Sequence, residues 1–302
     1  MRAPAVTVTL DAVILAVTEE TPRVLTVAGN DAPRLPAGPL LGSDRTLELA
    51  LRRFVREQTG LRVGHAEQLY TFGDLDRSER ELERRLAIAY LALVRESTPT
   101  ENARWLDWYD LYPWEDHRLG RPAVIDEVVE PALRVWVSAA AGPVERAVRE
   151  ERAQVTFGLD GASWDGVRVL ERYELLYEVR LVGESSAGGE GLGIAMAGDH
   201  RRIVATAVGR LRGKLTYRPV VFELLAERFT LLQLQRLVES LAGVRLHKQN
   251  FRRLVEGAGL VEGTGELAPT GGRPAELFRF RREVVRERPR PGVGTPWARV
   301  AP

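Results

Sequence analysis

Two consecutive stretches near the carboxyl end, 229-FTLLQLQRLVESLAG-243 and 246-LHKQNFRRLVEGAGL-260, decide the fold of the second half of the chain. Each has apolar residues at the three- and four-residue spacing of a helix, and Thr230 is suited to cap the first one. Gly243 makes the join between them tight, and a hairpin-like segment ending in 276-ELFRFR-281 follows. Two short helices followed by a hairpin predict a winged helix-turn-helix.

The helix over residues 247–256 is the expected reading helix of this domain. Phe251, Leu254 and Val255 are predicted to face its core, which leaves the basic residues on the other side. In such helices Asn pairs with adenine, and Arg pairs with guanine or phosphate. A solvated basic face is the plain alternative, but the second position in a helix pair and the glycine-rich wing 271-GGRP-274 favour contact with double-stranded DNA. The candidate DNA-binding residues are His247, Lys248, Asn250, Arg252, Arg253 and Arg273.

The charge of the chain is unevenly distributed. The net charge is +1, from 43 Lys and Arg residues against 42 Asp and Glu residues. Between Gly243 and Arg290, however, eleven Lys and Arg residues face six Asp and Glu residues. Because phosphate binding needs a local excess of positive charge, this part of the chain is the expected site of contact with nucleic acid.

The composition excludes several classes of protein. Hydrophobic residues make up 44% of the 302 residues, which is typical of a globular protein and excludes disorder as the main state. The chain has no Cys, so it has no disulfide, thiolate nucleophile or thiolate zinc site. No run reaches the roughly 18 apolar residues of a membrane span. We expect a cytoplasmic protein with no membrane partner.

Residues 5 to about 115 are predicted to form a small α/β unit. Apolar and polar residues alternate from Val6 to Leu10, which indicates a half-buried strand rather than a signal sequence. Leu47 to Gln58 has apolar residues at helical spacing, and Gly60 follows as a helix C-cap. The apolar run from Leu86 to Val94 indicates a central strand.

Residues 117–196 are predicted to be mainly helical. Asp126 to Val137 has an apolar face at helical spacing, whereas 167–181 fits both a helix and an alternating strand, and the helix is the favoured interpretation. The stretch 183-GESSAGGEGLG-193 is interpreted as a flexible loop. A dense aromatic cluster at 105–114 is typical of a core or a dimer interface.

The stretch 35-LPAGPLLGSDRTLELALRRFVREQTGL-61 resembles the Nudix box, in which a glycine and a Glu precede Arg-Glu-hydrophobic-any-Glu-Glu-any-Gly-hydrophobic. Arg53 and Glu57 hold two of these positions. Phe54 and Gln58 stand where two further glutamates belong, and the preceding loop is one residue longer than the pattern. The glutamates of the box hold Mg²⁺ on a diphosphate, which needs several anionic oxygens. The resemblance therefore implies that the fold is kept, that Mg²⁺ is not bound and that the hydrolase activity is lost.

Past the box, 67-EQLYTFGDLDR-77 and 89-AYLALV-94 resemble the ADP-ribose-binding branch of the Nudix family. This resemblance implies a pocket in which Arg binds phosphate and an aromatic ring stacks on the base. The alternative interpretation is that Phe72 belongs to the core and that Arg77 pairs with a neighbouring carboxylate. The candidate ligand-binding residues are Arg53, Glu57, Gln58, Tyr70, Phe72 and Arg77.

Further motifs lie in the carboxyl-terminal third, including 250-NFRR-253 and 272-GRPAELFRF-280. Together with the degenerate box, they resemble the Nudix-related transcriptional regulators, which join an inactive Nudix domain to a winged helix. The resemblance covers about 1–115 and 197–282. It implies a homodimeric bacterial repressor, often of NAD-metabolism genes, that leaves its palindromic operator when ADP-ribose or a related nucleotide binds. No cofactor is expected.

The resulting prediction is an α+β fold in four parts. A Nudix-like α/β/α sandwich carries a helical insertion and precedes the winged helix-turn-helix. The parts are the effector-binding domain at 1–116, the helical insertion and loop at 117–196, the DNA-binding domain at 197–290 and a tail at 291–302.

Two other functions are compatible with the sequence. One is an active Nudix hydrolase of nucleoside diphosphate sugars, with a metal bound in an altered arrangement by Asp44, Glu48, Glu57 and Glu67. Phe54, which stands where a metal-binding carboxylate belongs, disfavours this reading. The other is a winged helix that contacts only proteins.

Overall fold

The computed structural model describes residues 6–73, 84–185, 191–269, 274–287 and 291–294. Contacts within the chain divide it into two compact units. The N-terminal unit comprises Met1–Thr18, Pro22–Pro113 and Val169–Val208, and the C-terminal unit comprises Glu19–Thr21, Trp114–Arg168 and Gly209–Pro302. The units therefore differ from the predicted boundaries, because each of them includes part of the segment 117–196.

A six-stranded sheet forms the centre of the N-terminal unit. Its strands are β1 (Val6–Thr18), β2 (Thr21–Val27), β3 (Ala37–Pro39), β4 (Glu67–Phe72), β5 (Arg84–Leu93) and β6 (Ala103–Asp107). They follow the order β4-β5-β1-β2-β6, with β3 paired to β1. β1 is parallel to β5 and antiparallel to β3, and the pairs β2–β6 and β4–β5 are antiparallel. The strand predicted from Leu86 is confirmed as β5.

Strand β1 is buried on both faces from Leu10 to Ala16. The predicted strand is confirmed, but its alternating half-burial is wrong, because Val6 is 48% exposed and burial is continuous from Leu10 to Ala16. The physical reason is position: β1 lies between β5 and β2, and the sheet is covered on both sides. Leu10 joins the core cluster on one face, and Asp11, on the other face, lies 3.5 Å from Nε2 of His200.

Helix α1 (Leu47–Thr59) packs on the first of these faces. Its N-cap is Thr46, whose hydroxyl accepts a hydrogen bond from the backbone N–H of Leu49 at 3.2 Å. It ends at Gly60, whose φ of 73° is the left-handed conformation that glycine allows. The predicted helix and its C-cap are confirmed. Its buried side chains are Ala50, Leu51, Phe54, Val55 and Thr59.

The remaining helices of the N-terminal unit surround a buried arginine. They are α2 (Trp108–Leu111), α5 (Val169–Glu178) and the part of α6 (His200–Leu215) up to Val208, and a 3₁₀ turn spans Gly183–Ser185. Helix α5 confirms the helical interpretation of this segment. The guanidinium of Arg201, which is fully buried, donates to Glu184 at 3.1 Å and to the carbonyl of Leu192 at 2.6 Å.

The glycine-rich stretch 183–193 is packed at both of its described ends. Glu184 accepts a further hydrogen bond from the backbone N–H of Met196 at 2.9 Å. At Gly193, whose φ is 70°, a Cβ would lie 2.4 Å from the carbonyl oxygen of Leu111. The interpretation as a flexible loop is therefore wrong for these residues, since the glycines permit close backbone approach; positions 186–190 lie outside the described residues.

The C-terminal unit is mainly helical and ends in a hairpin. Its helices are α3 (Glu130–Ser138), α4 (Pro143–Phe157), the end of α6, α7 (Leu231–Ala242), α8 (Lys248–Gly257) and α9 (Val284–Glu287), and its strands are β7 (Val261–Ala268) and β8 (Ala275–Phe280). A π-helical turn at Ile125–Val129 leads into α3, and 3₁₀ turns span Pro113–Glu115 and Val220–Glu223. In the part of the chain that the structure describes, no helix is long and apolar enough to cross a membrane.

Residues 114–168 are tied to the C-terminal helices by Arg212 of α6. Its guanidinium is fully buried and forms an ion pair with Glu115, whose side chain is 1% exposed. It also donates to the backbone carbonyls of Gly166 at 3.0 Å and Leu241 at 2.9 Å. One side chain therefore joins three segments that are distant in sequence, which explains why this part of the predicted insertion belongs to the C-terminal unit.

The aromatic cluster at 105–114 is built into the cores of the two units. Trp108 is 1% exposed and Trp114 is fully buried. Trp105 is partly buried against the core of the sheet. Of the two interpretations from the sequence, core packing is the one that fits this burial.

Candidate functional sites

A capping box begins helix α7. The hydroxyl of Thr230 accepts a hydrogen bond from the backbone N–H of Gln233 at 3.2 Å, and Oε1 of Gln233 accepts one from the N–H of Thr230 at 2.8 Å. The helix ends at Gly243, whose φ is 73°. The predicted cap and the tight join to the next helix are both confirmed.

A buried carboxylate fixes the turn between α7 and α8. Glu239, 4% exposed, accepts hydrogen bonds from Nε2 of Gln235 at 2.8 Å, from the N–H of Leu246 at 2.9 Å and from Arg245 at 2.7 Å. Gln235 donates a second hydrogen bond to the carbonyl of Leu246 at 3.0 Å. Because α8 starts two residues later, this network sets its direction. Sequence reasoning missed it; the available signal was two polar residues four positions apart on the buried face of α7.

Replacing Glu239 by alanine is expected to lower the free energy of unfolding by about 1–3 kcal/mol, because buried donors of Gln235 and Leu246 lose their acceptor. Urea denaturation followed by circular dichroism measures this loss. Glu256→Ala removes an exposed carboxylate of α8 and is the control, with an expected change within about 0.5 kcal/mol. Equal stability of the two variants would contradict the role assigned to Glu239.

Helix α8 has one apolar face, as expected for a reading helix. Phe251 is 5% exposed and Val255 is fully buried, which confirms both as core residues. Leu254 is 39% exposed, so its predicted place in the core is wrong. Leu254 lies three residues after Phe251, at the edge of the buried face. Val255 lies four residues after Phe251 and is on the buried face itself.

The exposed side of α8 carries the basic residues together with one exposed carboxylate, Glu256. Nη2 of Arg253 donates to Oδ1 of Asn250 at 3.1 Å, while Lys248 and Arg252 have no ion pair with any described residue. Three basic side chains elsewhere in the same unit are paired with Glu. The pairs are Arg228–Glu266, Arg279–Glu262 and Arg281–Glu287. The candidate residues that the structure describes on this face are all exposed, and they are His247, Lys248, Asn250, Arg252 and Arg253.

The hairpin β7–β8 follows α8 as the wing of the predicted motif. Its strands are antiparallel, and Phe280 stacks on Phe222 with a ring separation of 4.2 Å. Phe229 exchanges two backbone hydrogen bonds with Phe278, of 3.0 and 2.8 Å, just before α7 begins. These contacts hold the wing beside the helix pair. Arg273, the candidate residue at its tip, lies outside the described residues.

The Nudix-like box of the N-terminal unit forms the loop before α1 and α1 itself. Arg53 donates two hydrogen bonds to Asp44, of 3.2 and 3.0 Å, and forms a longer ion pair of 3.5 Å with the exposed Glu57. The hydrogen bond from Arg53, together with one from the N–H of Leu41, holds the pKa of Asp44 below its usual range. Arg53 therefore fixes the loop through its two hydrogen bonds to Asp44, and its ion pair with Glu57 on the solvent side is the weaker contact.

The two departures from the box serve packing and loop attachment. Phe54 is 2% exposed and covers Gly38, where a Cβ would lie 2.9 Å from the ring. Gln58 donates to the carbonyl of Ala37 at 2.7 Å and accepts from its N–H at 3.2 Å. These side chains do not fit a divalent cation, because they leave Glu57 as the one carboxylate of the three positions. Among the described residues, no group of three or more His, Asp or Glu side chains is arranged to hold a metal ion.

Two aromatic candidates lie on β4 with different exposure. Tyr70 is 59% exposed, and its ring meets that of Phe72 edge to face at 5.2 Å. Phe72 is 5% exposed, and the guanidinium of Arg202 lies over its ring at 5.4 Å. The burial of Phe72 favours its alternative role as a core residue, whereas the ring of Tyr70 is open to stacking. Arg77 lies outside the described residues.

Comparison with known proteins matches the winged helix to a family model and part of the chain to a curated relative. A family model described as the NrtR DNA-binding winged helix domain matches residues 221–280. The ADPR responsive transcriptional repressor NtrR of Acinetobacter baylyi is 36% identical over 91 residues, which are 30% of this chain. The alignment spans 36% of the length of that relative.

Solved structures share the fold over most of the chain. NrtR of Shewanella oneidensis, complexed with a 27mer DNA, superposes with a TM-score of 0.56 at 22% identity and covers 92% of this chain and 95% of that one. A MutT/nudix family protein of Enterococcus faecalis gives a TM-score of 0.57 at 17% identity, covering 93% and 88%. These matches confirm the predicted fold and the resemblance on which it rests: residues 221–280 match the NrtR DNA-binding winged helix domain, and the chain shares the fold of the two solved structures.

Proposed function

We propose that this protein is a transcriptional repressor that binds DNA through α8 and leaves it when ADP-ribose or a related nucleotide binds the Nudix-like unit. The observation that carries the proposal is the face of α8, where Lys248 and Arg252 are exposed and have no carboxylate partner among the described residues. The family match over this helix supports DNA as the partner. The name of the Acinetobacter relative supports repression and ADP-ribose as the effector.

The proposed DNA contact places α8 in the major groove. Asn250 and Arg252 contact base edges, while His247, Lys248, Arg253 and the wing residue Arg273 contact phosphates. The regulator acts as a homodimer in the cytoplasm, and its two reading helices lie about 34 Å apart or a multiple of it. The operator is therefore palindromic, and genes of NAD metabolism are the proposed targets.

The proposed effector spans the β4 edge of the sheet, with its diphosphate on the solvent side of α1 and its base on Tyr70, which lies on the opposite face of the sheet from α1. Arg53 binds the diphosphate by exchanging its long pair with Glu57 for a charge-assisted bond, while its two bonds to Asp44 stay in place. Gln58 holds the loop at Ala37 beside this group, Tyr70 stacks on the base, and Arg77 is the second phosphate ligand. A difference of about 1–3 kcal/mol in effector affinity between the two DNA-binding states is sufficient for the release.

The same geometry leads us to propose binding without hydrolysis. Titration calorimetry with ADP-ribose and Mg²⁺ is expected to give binding heat, and the same samples should release no AMP above background. Tyr70→Ala should weaken binding by about 5- to 150-fold through the loss of base stacking. Tyr217→Ala, which removes another exposed ring, is the control and should bind as the parent does.

Two outcomes would contradict this assignment. Steady AMP release that disappears in a Glu57→Gln variant would establish the hydrolase alternative. Absence of both heat and thermal stabilisation with ADP-ribose, NAD and their analogues would remove the nucleotide site.

A further inference from the structure

Helix α4 of the C-terminal unit has two apolar faces. The inner face is buried through Ala153, Thr156 and Phe157. On the outer face, Val144 is 79% exposed, Val148 59% and Val155 38%. At about 100° per residue, the three valines fall within a sector of about 40° that points away from Ala153 and Phe157.

The outer valines are unusual for a helix that meets only its own chain. A surface helix has one apolar stripe toward the core and polar residues on the opposite side. Valine is also a poorer helix former than the Ala, Glu, Lys or Arg that exposed positions favour. A second apolar stripe on a helix of 15 residues, about 22 Å long, therefore indicates a binding surface.

The residues along the stripe are arranged symmetrically, as pairing between two identical helices requires. The stripe positions are Val144, Val148, Glu151 and Val155, and they are symmetric about the midpoint between residues 149 and 150. When two copies pair antiparallel about that midpoint, Val144 of one copy meets Val155 of the other at both ends. Val148 of each copy meets the stem of Glu151 of the other.

The flanking charges favour the same arrangement. Glu145 and Arg152 lie on one side of the stripe, seven residues apart, so antiparallel pairing brings Arg152 of each copy beside Glu145 of the other. Hydrogen bonding to the N–H of Ala141 and the charge of Arg149 hold the pKa of Glu145 below its usual range, so it is ionised at neutral pH. The guanidinium of Arg152 lies 5.7 Å from the ring of Trp136, which limits its freedom before pairing.

We propose that the outer stripe of α4 is a contact surface between two copies of this chain, which pair antiparallel about the midpoint of residues 149 and 150. This surface is where the homodimer of the proposed function would form, and in that respect the proposal rests on the proposed function. One helix pair is smaller than a standard interface of about 800 Å² per partner, so the contact by itself is weak and depends on protein concentration. Glu151 weakens it further, because its carboxylate lies in an apolar stripe.

Cross-linking tests the geometry directly, because the chain contains no Cys. In the antiparallel pair, the two copies of residue 148 lie about 4.5 Å apart along the helix axis, on either side of the midpoint. A Val148→Cys variant is therefore expected to form a covalent dimer on mild oxidation, visible on a non-reducing gel. Val285→Cys, at a valine of α9 that is 46% exposed, is the matched control and should stay monomeric on the gel.

Charge reversal tests the pairing by a second route. Glu145→Arg should weaken self-association about tenfold in sedimentation velocity across a concentration series, and Glu145→Arg with Arg152→Glu should restore it. Within one helix the two positions are about 10.5 Å apart, so restoration reports a contact between chains. Glu151→Val should strengthen association. Glu145→Arg also removes the contacts of Glu145 with Ala141 and Arg149 within its own chain, and the double variant does not restore these, so recovery in the double variant isolates the contact between chains.

Two results would overturn the proposal. A parent chain that stays monomeric throughout, with no cross-link at position 148, would mean that the stripe binds a different protein or nothing. If the chain dimerises but Glu145→Arg leaves its dissociation constant unchanged and no cross-link forms at position 148, the homodimer forms through another surface. In that case this surface is rejected while the proposed repressor stands, because the repressor is judged by its DNA binding.

Discussion

Replacing Arg212 by methionine is expected to lower the free energy of unfolding by about 3–5 kcal/mol, because the change removes the buried guanidinium from its ion pair with the buried Glu115 carboxylate. Glu115 and Arg212 are separated by 97 residues, and their side chains are 1% and 0% exposed. The carbonyls of Gly166 and Leu241 lose their donor in the same substitution. Urea denaturation followed by circular dichroism measures the loss.

Two further variants separate the ion pair from general damage. Arg212→Met with Glu115→Leu should be more stable than Arg212→Met alone, because it also removes the buried carboxylate whose cationic partner is lost. Arg228→Met breaks a pair with Glu266 in which both side chains are half-exposed, and it should cost less than about 1 kcal/mol. A loss below about 1 kcal/mol in Arg212→Met itself would contradict the role of this residue in joining 114–168 to the helices.

Arg252→Ala is expected to weaken binding to the operator by about 5- to 150-fold while changing binding to unrelated DNA little, because a base contact is worth about 1–3 kcal/mol. Asn250→Ala should behave in the same way. Lys248→Ala should instead weaken binding to all sequences alike and reduce the salt slope by about one unit. Fluorescence anisotropy with labelled operator and scrambled DNA, at several salt concentrations, separates these patterns.

The controls for this series come from the same unit. Arg279→Ala removes a basic residue that is already paired with Glu262 at 2.6 Å, and it should bind DNA nearly as the parent does. Phe251→Ala empties a core position, and it should cost about 3–5 kcal/mol of stability before any DNA is added. If the Lys248, Asn250 and Arg252 variants stay folded and bind DNA as the parent does, α8 is not a reader and the protein-contact alternative is the better account.

Local signals in the sequence predicted the elements that carry the proposed function. The cap at Thr230, the glycines at positions 60 and 243, and the apolar spacing of α1 and α8 depend on residues within a few positions of each other. Such patterns record helix ends and buried faces directly. For the same reason they misplaced Leu254, which lies at the border between the two faces of α8.

What the sequence did not reveal depends on contacts between distant residues. Arg212 and Arg201 are charged side chains that a periodicity argument assigns to solvent, yet each is buried by partners on other segments. The two-sided burial of β1 follows from its place in the sheet order, which its own alternation does not record. Phe54, by contrast, is one of the apolar residues whose spacing predicted α1, and its burial confirms that prediction.

Release of DNA by the effector is the most direct test of the central claim. Fluorescence anisotropy would follow binding of the parent protein to the DNA upstream of its own gene, with and without saturating ADP-ribose. The account predicts tight, salt-dependent binding and a dissociation constant that rises about 5- to 150-fold with ADP-ribose. No binding to that DNA or to any palindrome selected from a random pool, or binding that ADP-ribose leaves unchanged, would contradict it.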